Sequence, residues 1–185
     1  MQVLQTSLAD VLVFEPEVYK DDRGLFLEQW RRSRYRSAGI DYEFVQDNLS
    51  RSSRGTIRGL HYQEPNAQGK LVTVLRGAAF DVAVDIRVGS PTFKRWFEIE
   101  LNEENRRQIW IPPGFAHGFC ALADPTDIFY KTTAVYSASD EYAIKFDDPD
   151  IGIRWPVSAP TLSDRDLDAP LISNAPLLPL FSEST

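Results

Sequence analysis

Apolar and polar positions alternate at period two along much of the chain. Residues 79–87 set Phe80, Val82, Val84 and Ile86 against Asp81, Ala83, Asp85 and Arg87, the sign of a half-buried strand with an apolar inner face and a polar outer one. Residues 11–15, 71–75, 96–101, 108–111 and 127–133 read as further strands. Turn chemistry separates them at Arg76-Gly77, Gly89-Ser90-Pro91, Pro112-Pro113-Gly114 and Asp147-Asp148-Pro149. Many short strands at this spacing predict a sandwich or barrel. One helix is predicted over 29–38, rich in Arg and closed by Gly39, and a short second one starts at Ser163, a capping residue. The segment 170–185 carries Pro176, Pro179 and several Ser/Thr and is expected to pack loosely. With no repeat and no linker, 1–185 reads as a single all-β domain with a few short helices.

Composition narrows the chemistry. The 185 residues are 43% hydrophobic, enough for one sizeable core. Against 20 Lys and Arg stand 27 Asp and Glu, a net charge of −7 that argues against nucleic acid or an anionic membrane as partner. No apolar run approaches the roughly 18 residues of a membrane span, and the first residues lack the basic and apolar regions of a signal peptide. A cytoplasmic location is therefore expected. There are two histidines, His61 and His117, and one cysteine, Cys120. An internal disulfide and a four-ligand Cys/His zinc site are thus both out of reach.

Two clusters concentrate the candidate chemistry. In the first, Arg58-Gly59-Leu60-His61-Tyr62-Gln63 precedes Gln68-Gly69-Lys70. Strand periodicity puts His61 and Gln63 on one face and Arg58, Leu60 and Tyr62 on the other. Lys70, just before an apolar strand, is costly inside unless something anionic meets it. In the second cluster, the turn Pro112-Pro113-Gly114 delivers His117 onto a strand flanked by Phe115 and Phe119. Together the clusters resemble the two motifs of the cupin superfamily, whose metal-binding members use His-x-His and a Glu, then a further His. Here Gln63 replaces the second His and a cation, Lys70, stands near the Glu position, so no metal is expected.

The resemblance becomes specific over 14–166. Phe26-Leu27-Glu28, Gln46-Asp47-Asn48-Leu49-Ser50, the two clusters above, residues 85–93 and Leu162-Ser163-Asp164-Arg165-Asp166 occur in that order, and the chain resembles the dTDP-4-dehydrorhamnose 3,5-epimerase family. The resemblance implies a cupin jelly roll and a cofactor-free isomerase acting beside the C4 ketone of a dTDP-4-keto-6-deoxyhexose. It implies His61 as the base, Asp166 as the carboxylate orienting it, Tyr130 as the proton donor and Lys70 as stabiliser of the enolate. That chemistry is coherent, because a proton alpha to a ketone is abstracted at neutral pH only when a base is positioned and the developing oxyanion is stabilised. Substrate contacts are implied for Arg23, Glu28, Gln46, Asn48, Arg58, Lys70, His117, Glu141 and Arg165, with Tyr136 stacking on the thymine ring. Arg165 stands where family members often carry Lys. The resemblance also implies a homodimer with exchanged N-terminal strands, which would put Arg23 and Glu28 at the neighbouring subunit's site. A single-centre epimerase, a ketoisomerase of the same substrate class and a non-enzymatic sugar-nucleotide-binding cupin are the competing readings. Cys120, close to His117, is expected to be a small buried hydrophobe rather than a nucleophile.

Overall fold

The computed structural model describes residues 1–182. Thirteen strands run in the order β1 (Gln2–Gln5), β2 (Leu12–Glu15), β3 (Val18–Asp21), β4 (Gly24–Leu27), β5 (Gln46–Ser52), β6 (Ile57–Gln63), β7 (Lys70–Arg76), β8 (Ala78–Asp85), β9 (Trp96–Asn102), β10 (Gln108–Ile111), β11 (Phe115–Ala121), β12 (Thr126–Thr132) and β13 (Glu141–Ala143). A six-stranded sheet has the order β1-β2-β10-β7-β12-β5, a five-stranded sheet has the order β13-β6-β11-β8-β9, and β3-β4 forms a separate hairpin. Val72, Val74, Ile109, Ile111 and Ile128 of the first sheet pack against Ala79, Ala83, Leu101, Phe115 and Phe119 of the second. The two sheets therefore face one another across a shared apolar core, and the architecture is the cupin jelly roll expected. Among the described residues, no helix is long and apolar enough to cross a membrane.

Helix α1 (Arg32–Ser37) is shorter than predicted. The Gln29 carbonyl accepts from Gln108 Nε2 of β10 at 2.8 Å and from the Tyr35 hydroxyl at 3.2 Å, which ties Gln29 to the first sheet and keeps it out of the helix. The short second helix, α2 (Asp164–Leu167), starts as expected, with Ser163 Oγ accepting from the Asp166 N–H at 3.2 Å.

The half-buried reading of β8 is corrected. Both of its faces are buried, because residues of 144–178 cover the outer side of the second sheet. Val82, Val84 and Ile86 pack there with Ile144, Ile151, Ile153 and Ile172. Asp81 and Asp85, expected to face solvent, are both inaccessible. Asp85 is satisfied by Arg87, Ser90 and Thr92, so the motif over 85–93 is a turn built around one buried carboxylate.

The segment from 170 on does not hang loose. Ile172 is buried, Leu177 accepts from the Tyr62 hydroxyl at 2.8 Å, and Phe181 donates its N–H to Val88 while its ring lies against the Arg87 guanidinium. Its apolar side chains complete the covering layer of the second sheet, a role that its Pro and Ser content hides. Residues 183–185 of the expected loose tail lie outside the described residues.

Candidate functional site

The site opens between the two sheets, in a pocket of about 570 Å³. Arg58, His61, Lys70, His117, Tyr130, Arg165 and Asp166 all line it. Lys70 and Tyr130 come from the first sheet, and Arg58, His61 and His117 from the second. Arg165 and Asp166 arrive on α2, which a parallel bridge from Thr161 to Thr56 and the bond from Ile57 N–H to the Thr161 carbonyl (3.0 Å) hold beside β6.

Arg58 was expected on the opposite face from His61. The structure overturns this: pairing between β6 and β11 shifts register between His61–His117 and Arg58–Phe119, and both side chains reach the pocket. Gly59 makes the irregularity possible. Its φ of +121° is in the region that L side chains avoid, and a Cβ there would lie 2.5 Å from Gly118 Cα and 2.6 Å from the His117 carbonyl oxygen. Gly59→Ala is expected to destabilise the fold by about 3 kcal/mol or more, read as a lower urea midpoint with an unchanged slope.

His61 Nε2 and Asp166 Oδ1 are 2.5 Å apart. Burial would raise the Asp166 carboxyl, but hydrogen bonds from His61 and Ser163, the charge of His61 and the Gly59 N–H outweigh it and hold the group below the usual carboxylate range. Asp166 is thus an anion at neutral pH, fixing one imidazole nitrogen and leaving Nδ1 free to accept a proton. Lys70 is 9% exposed. Burial pushes its ammonium down to about 8, against the charges of Glu141 and Asp81, which favour the charged form. Tyr130 is pushed up by burial and by Glu141, against the opposing effect of Arg58.

The second histidine has a carboxylate of its own. His117 Nε2 lies 3.0 and 3.2 Å from the two oxygens of Asp81. Sequence reading missed Asp81 by assigning it to a solvent face. The available signal was an acid in an otherwise apolar run, which requires a partner if it is buried. Ser52 was also missed. Its hydroxyl accepts from Arg58 Nε at 3.0 Å, and the Arg51 carbonyl accepts from the same guanidinium at 3.3 Å, which aims Arg58 across the pocket mouth.

A rim of four predicted contacts adjoins the pocket. Gln46 bonds Asn48 at 2.8 Å and accepts the Tyr136 N–H at 2.9 Å; the Tyr136 hydroxyl donates to Glu141 at 2.8 Å. Glu141 in turn ion-pairs with Arg165; burial would raise its carboxyl, but Arg165, the Tyr136 hydrogen bond and the His61 charge together keep it below its ordinary value. Arg23 and Glu28 are not brought to this pocket. Arg23 projects from the β3-β4 hairpin and pairs with Asp21, and Glu28 pairs with Arg31 and Arg34. Cys120 is a buried free thiol on β11 whose pKa is raised by burial, which does not suit it to be a nucleophile. Among the described residues, no group of three or more His, Cys, Asp and Glu is placed to hold a metal.

Comparison with known proteins bears on the family and the fold. The family model for dTDP-4-dehydrorhamnose 3,5-epimerase matches residues 5–174. A dTDP-4-dehydrorhamnose 3,5-epimerase from Shigella flexneri is 52% identical over 170 residues, covering 91% of this chain and 94% of that protein. The solved structure of a dTDP-6-deoxy-D-glucose-3,5-epimerase from Legionella pneumophila, in complex with dTDP-4-keto-L-rhamnose, matches with a TM-score of 0.96 at 46% identity and 98% coverage of both chains. A 4-keto-6-deoxy sugar epimerase from Streptomyces spheroides matches with a TM-score of 0.94 at 39% identity, covering 98% of this chain and 94% of that one.

Proposed function

The chain belongs to the dTDP-4-dehydrorhamnose 3,5-epimerase family, and on that premise we propose that it converts dTDP-4-dehydro-6-deoxy-D-glucose to dTDP-4-dehydro-L-rhamnose. The observation that carries the mechanism is the division of the pocket between sheets. Inversion removes a proton from one face of a carbon and returns one to the other, and His61 and Tyr130 line one pocket from opposite sheets.

His61 Nδ1 takes the proton alpha to the ketone, and the C–H electron pair moves into an enolate. The Lys70 ammonium stabilises the enolate oxygen, with His117 beside it. Tyr130, whose raised pKa keeps it protonated, gives its proton to the opposite face of the strongly basic carbon. The cycle closes when solvent takes the proton from His61 and returns one to Tyr130. Asp166 keeps the imidazole oriented and stabilises its charged form. Arg58 and Arg165 meet the diphosphate, with Gln46, Asn48 and Glu141 along the nucleoside, and Tyr136 offers its ring to the thymine.

Arg23 and Glu28 serve a second copy of the chain. The hairpin that carries Arg23 exposes Phe26 at 70%, and the outer face of the first sheet exposes Leu49 at 63%. A homodimer exchanging N-terminal strands would cover such apolar surface. We place the enzyme in the cytoplasm, where its free thiol stays reduced.

Incubation with the substrate in heavy water tests the assignment. Deuterium at both C3 and C5 is expected. Label at one centre alone would make the protein a single-centre epimerase, and no exchange at either would refute the enzymatic reading.

The pocket also sets a pH limit. Lys70 loses its charge as pH rises through about 8, so kcat/KM, which reports the free enzyme, is expected to fall there. Stability runs the opposite way. Between about 8 and 10.5 the unfolded chain binds the Lys70 proton more tightly than the folded one, so this group makes the fold more stable as pH rises through that window. A kcat/KM profile still flat at pH 9.5 would exclude a charged Lys70 from the mechanism.

A further inference from the structure

Tyr136 is a half-exposed aromatic on a loop, yet the loop is pinned at every residue from 134 to 137. Gln68 Nε2 donates to the Ala134 carbonyl at 2.9 Å, and the Tyr136 N–H donates to Gln46 at 2.9 Å. The two residues flanking Tyr136 are held by one buried side chain. Gln63 Nε2 donates to the Val135 carbonyl at 3.2 Å, and Gln63 Oε1 accepts the Ser137 N–H at 2.9 Å. The remaining amide hydrogen of Gln63 goes to the Asn66 carbonyl at 2.6 Å.

We propose that Gln63 is a positioning residue for nucleotide recognition: its buried amide brackets the main chain of Tyr136 and holds the ring ready for the base. The inference rests on the reading of Tyr136 as the thymine platform. Gln63 sits on β6 directly across from Glu141 of β13, and Glu141 holds the Tyr136 hydroxyl. One strand pair thus fixes the ring at both its backbone and its tip.

The residue type is specific to this task. An amide offers donors and an acceptor together, and this site uses both donors and the acceptor. A carboxylate would face the Val135 and Asn66 carbonyls with no hydrogen to give, and an aliphatic chain would remove the side-chain partner of three backbone groups at once. Holding the loop in its bound conformation removes the ordering cost from the binding step. Gln63 is also the position where a metal-binding cupin would carry its second His, so a ligand position here serves as a loop anchor.

The test compares Gln63→Leu and Gln63→Glu with Tyr136→Ala, measuring dTDP and inorganic pyrophosphate binding by calorimetry alongside steady-state kinetics. In Gln63→Leu the Kd for dTDP and the KM are expected to rise about tenfold, within the range of one lost base stack. The kcat should stay within about twofold and pyrophosphate binding should not change. Gln63→Glu, which sets a buried carboxylate against the Val135 and Asn66 carbonyls and across from Glu141, should show at least as large a rise. Adding Gln63→Leu to Tyr136→Ala should cost nothing further. If both Gln63 variants weaken dTDP and pyrophosphate equally and melt early, Gln63 is only a structural residue and the inference falls. If Tyr136→Ala loses dTDP affinity while both Gln63 variants bind normally, the inference falls alone. If Tyr136→Ala binds dTDP as tightly as the parent, the platform reading fails and this inference with it.

Discussion

His61→Asn is expected to lower turnover at least about 10³-fold and to remove deuterium exchange at both centres, while dTDP still binds. A positioned general base contributes roughly 10² to 10⁴ in rate, and His61 has a free ring nitrogen that can take a proton while a buried carboxylate holds the other, an arrangement His117 shares through Asp81. Asn preserves much of the volume and a donor toward Asp166, so the loss reports the missing basic nitrogen rather than a collapsed site. Tyr130 provides the contrast. It acts after deprotonation, so its loss leaves the first half of the reaction in place. A His61→Asn variant that exchanged deuterium at the parent rate would remove His61 from the role of base.

The second large effect concerns charge. Lys70→Met keeps the length of the chain and discards the ammonium, and kcat is expected to fall by about 10² to 10³, the usual cost of losing one oxyanion stabiliser. The same change should make the folded protein more stable. Lys70 is nearly inaccessible and its charge is disfavoured by burial, so an apolar replacement removes a desolvation cost that the free enzyme carries. Each kcal/mol recovered raises the melting temperature by roughly 2–4 °C in a protein of this size. Opposite movements of rate and melting temperature would mark Lys70 as a group held for catalysis against the interest of the fold. Loss of both would make it a structural residue.

The parts of the fold legible in the sequence were those where apolar residues pay out at period two. Strands β7, β9, β10 and β12 announce themselves because one of their faces fills the core. Strand β5 stayed hidden although it pairs with β12 along its whole length. Its more buried positions are Gln46, Asn48, Ser50 and Ser52, polar because Ser50 and Ser52 line the pocket and Gln46 and Asn48 its rim. A strand that faces a binding site loses the hydrophobic signal by which strands are found. Asp81 was misplaced for a different reason: β8 was legible as a strand, but the face that Asp81 shares with Ala79 and Ala83 points into the core and not to solvent. Period two also misplaced Arg58, since one irregular step at Gly59 reverses every side chain before it. The candidate catalytic residues were legible through motif resemblance. Their convergence was not, because His61 and Asp166 are 105 residues apart in sequence.

That separation joins two regions of unequal local stability. His61 belongs to a strand paired on both sides within a five-stranded sheet. Asp166 rides on a helix of four residues, too short to persist without its cap and the bridge at Thr161. Segments of this kind open at free energies well below that of the whole domain. Mild denaturant or heat can therefore release Asp166 while the sheets remain paired, leaving a folded barrel whose base has lost its partner. Loss of activity on mild heating is expected to follow the anchorage of this short helix and to precede the melting of the core.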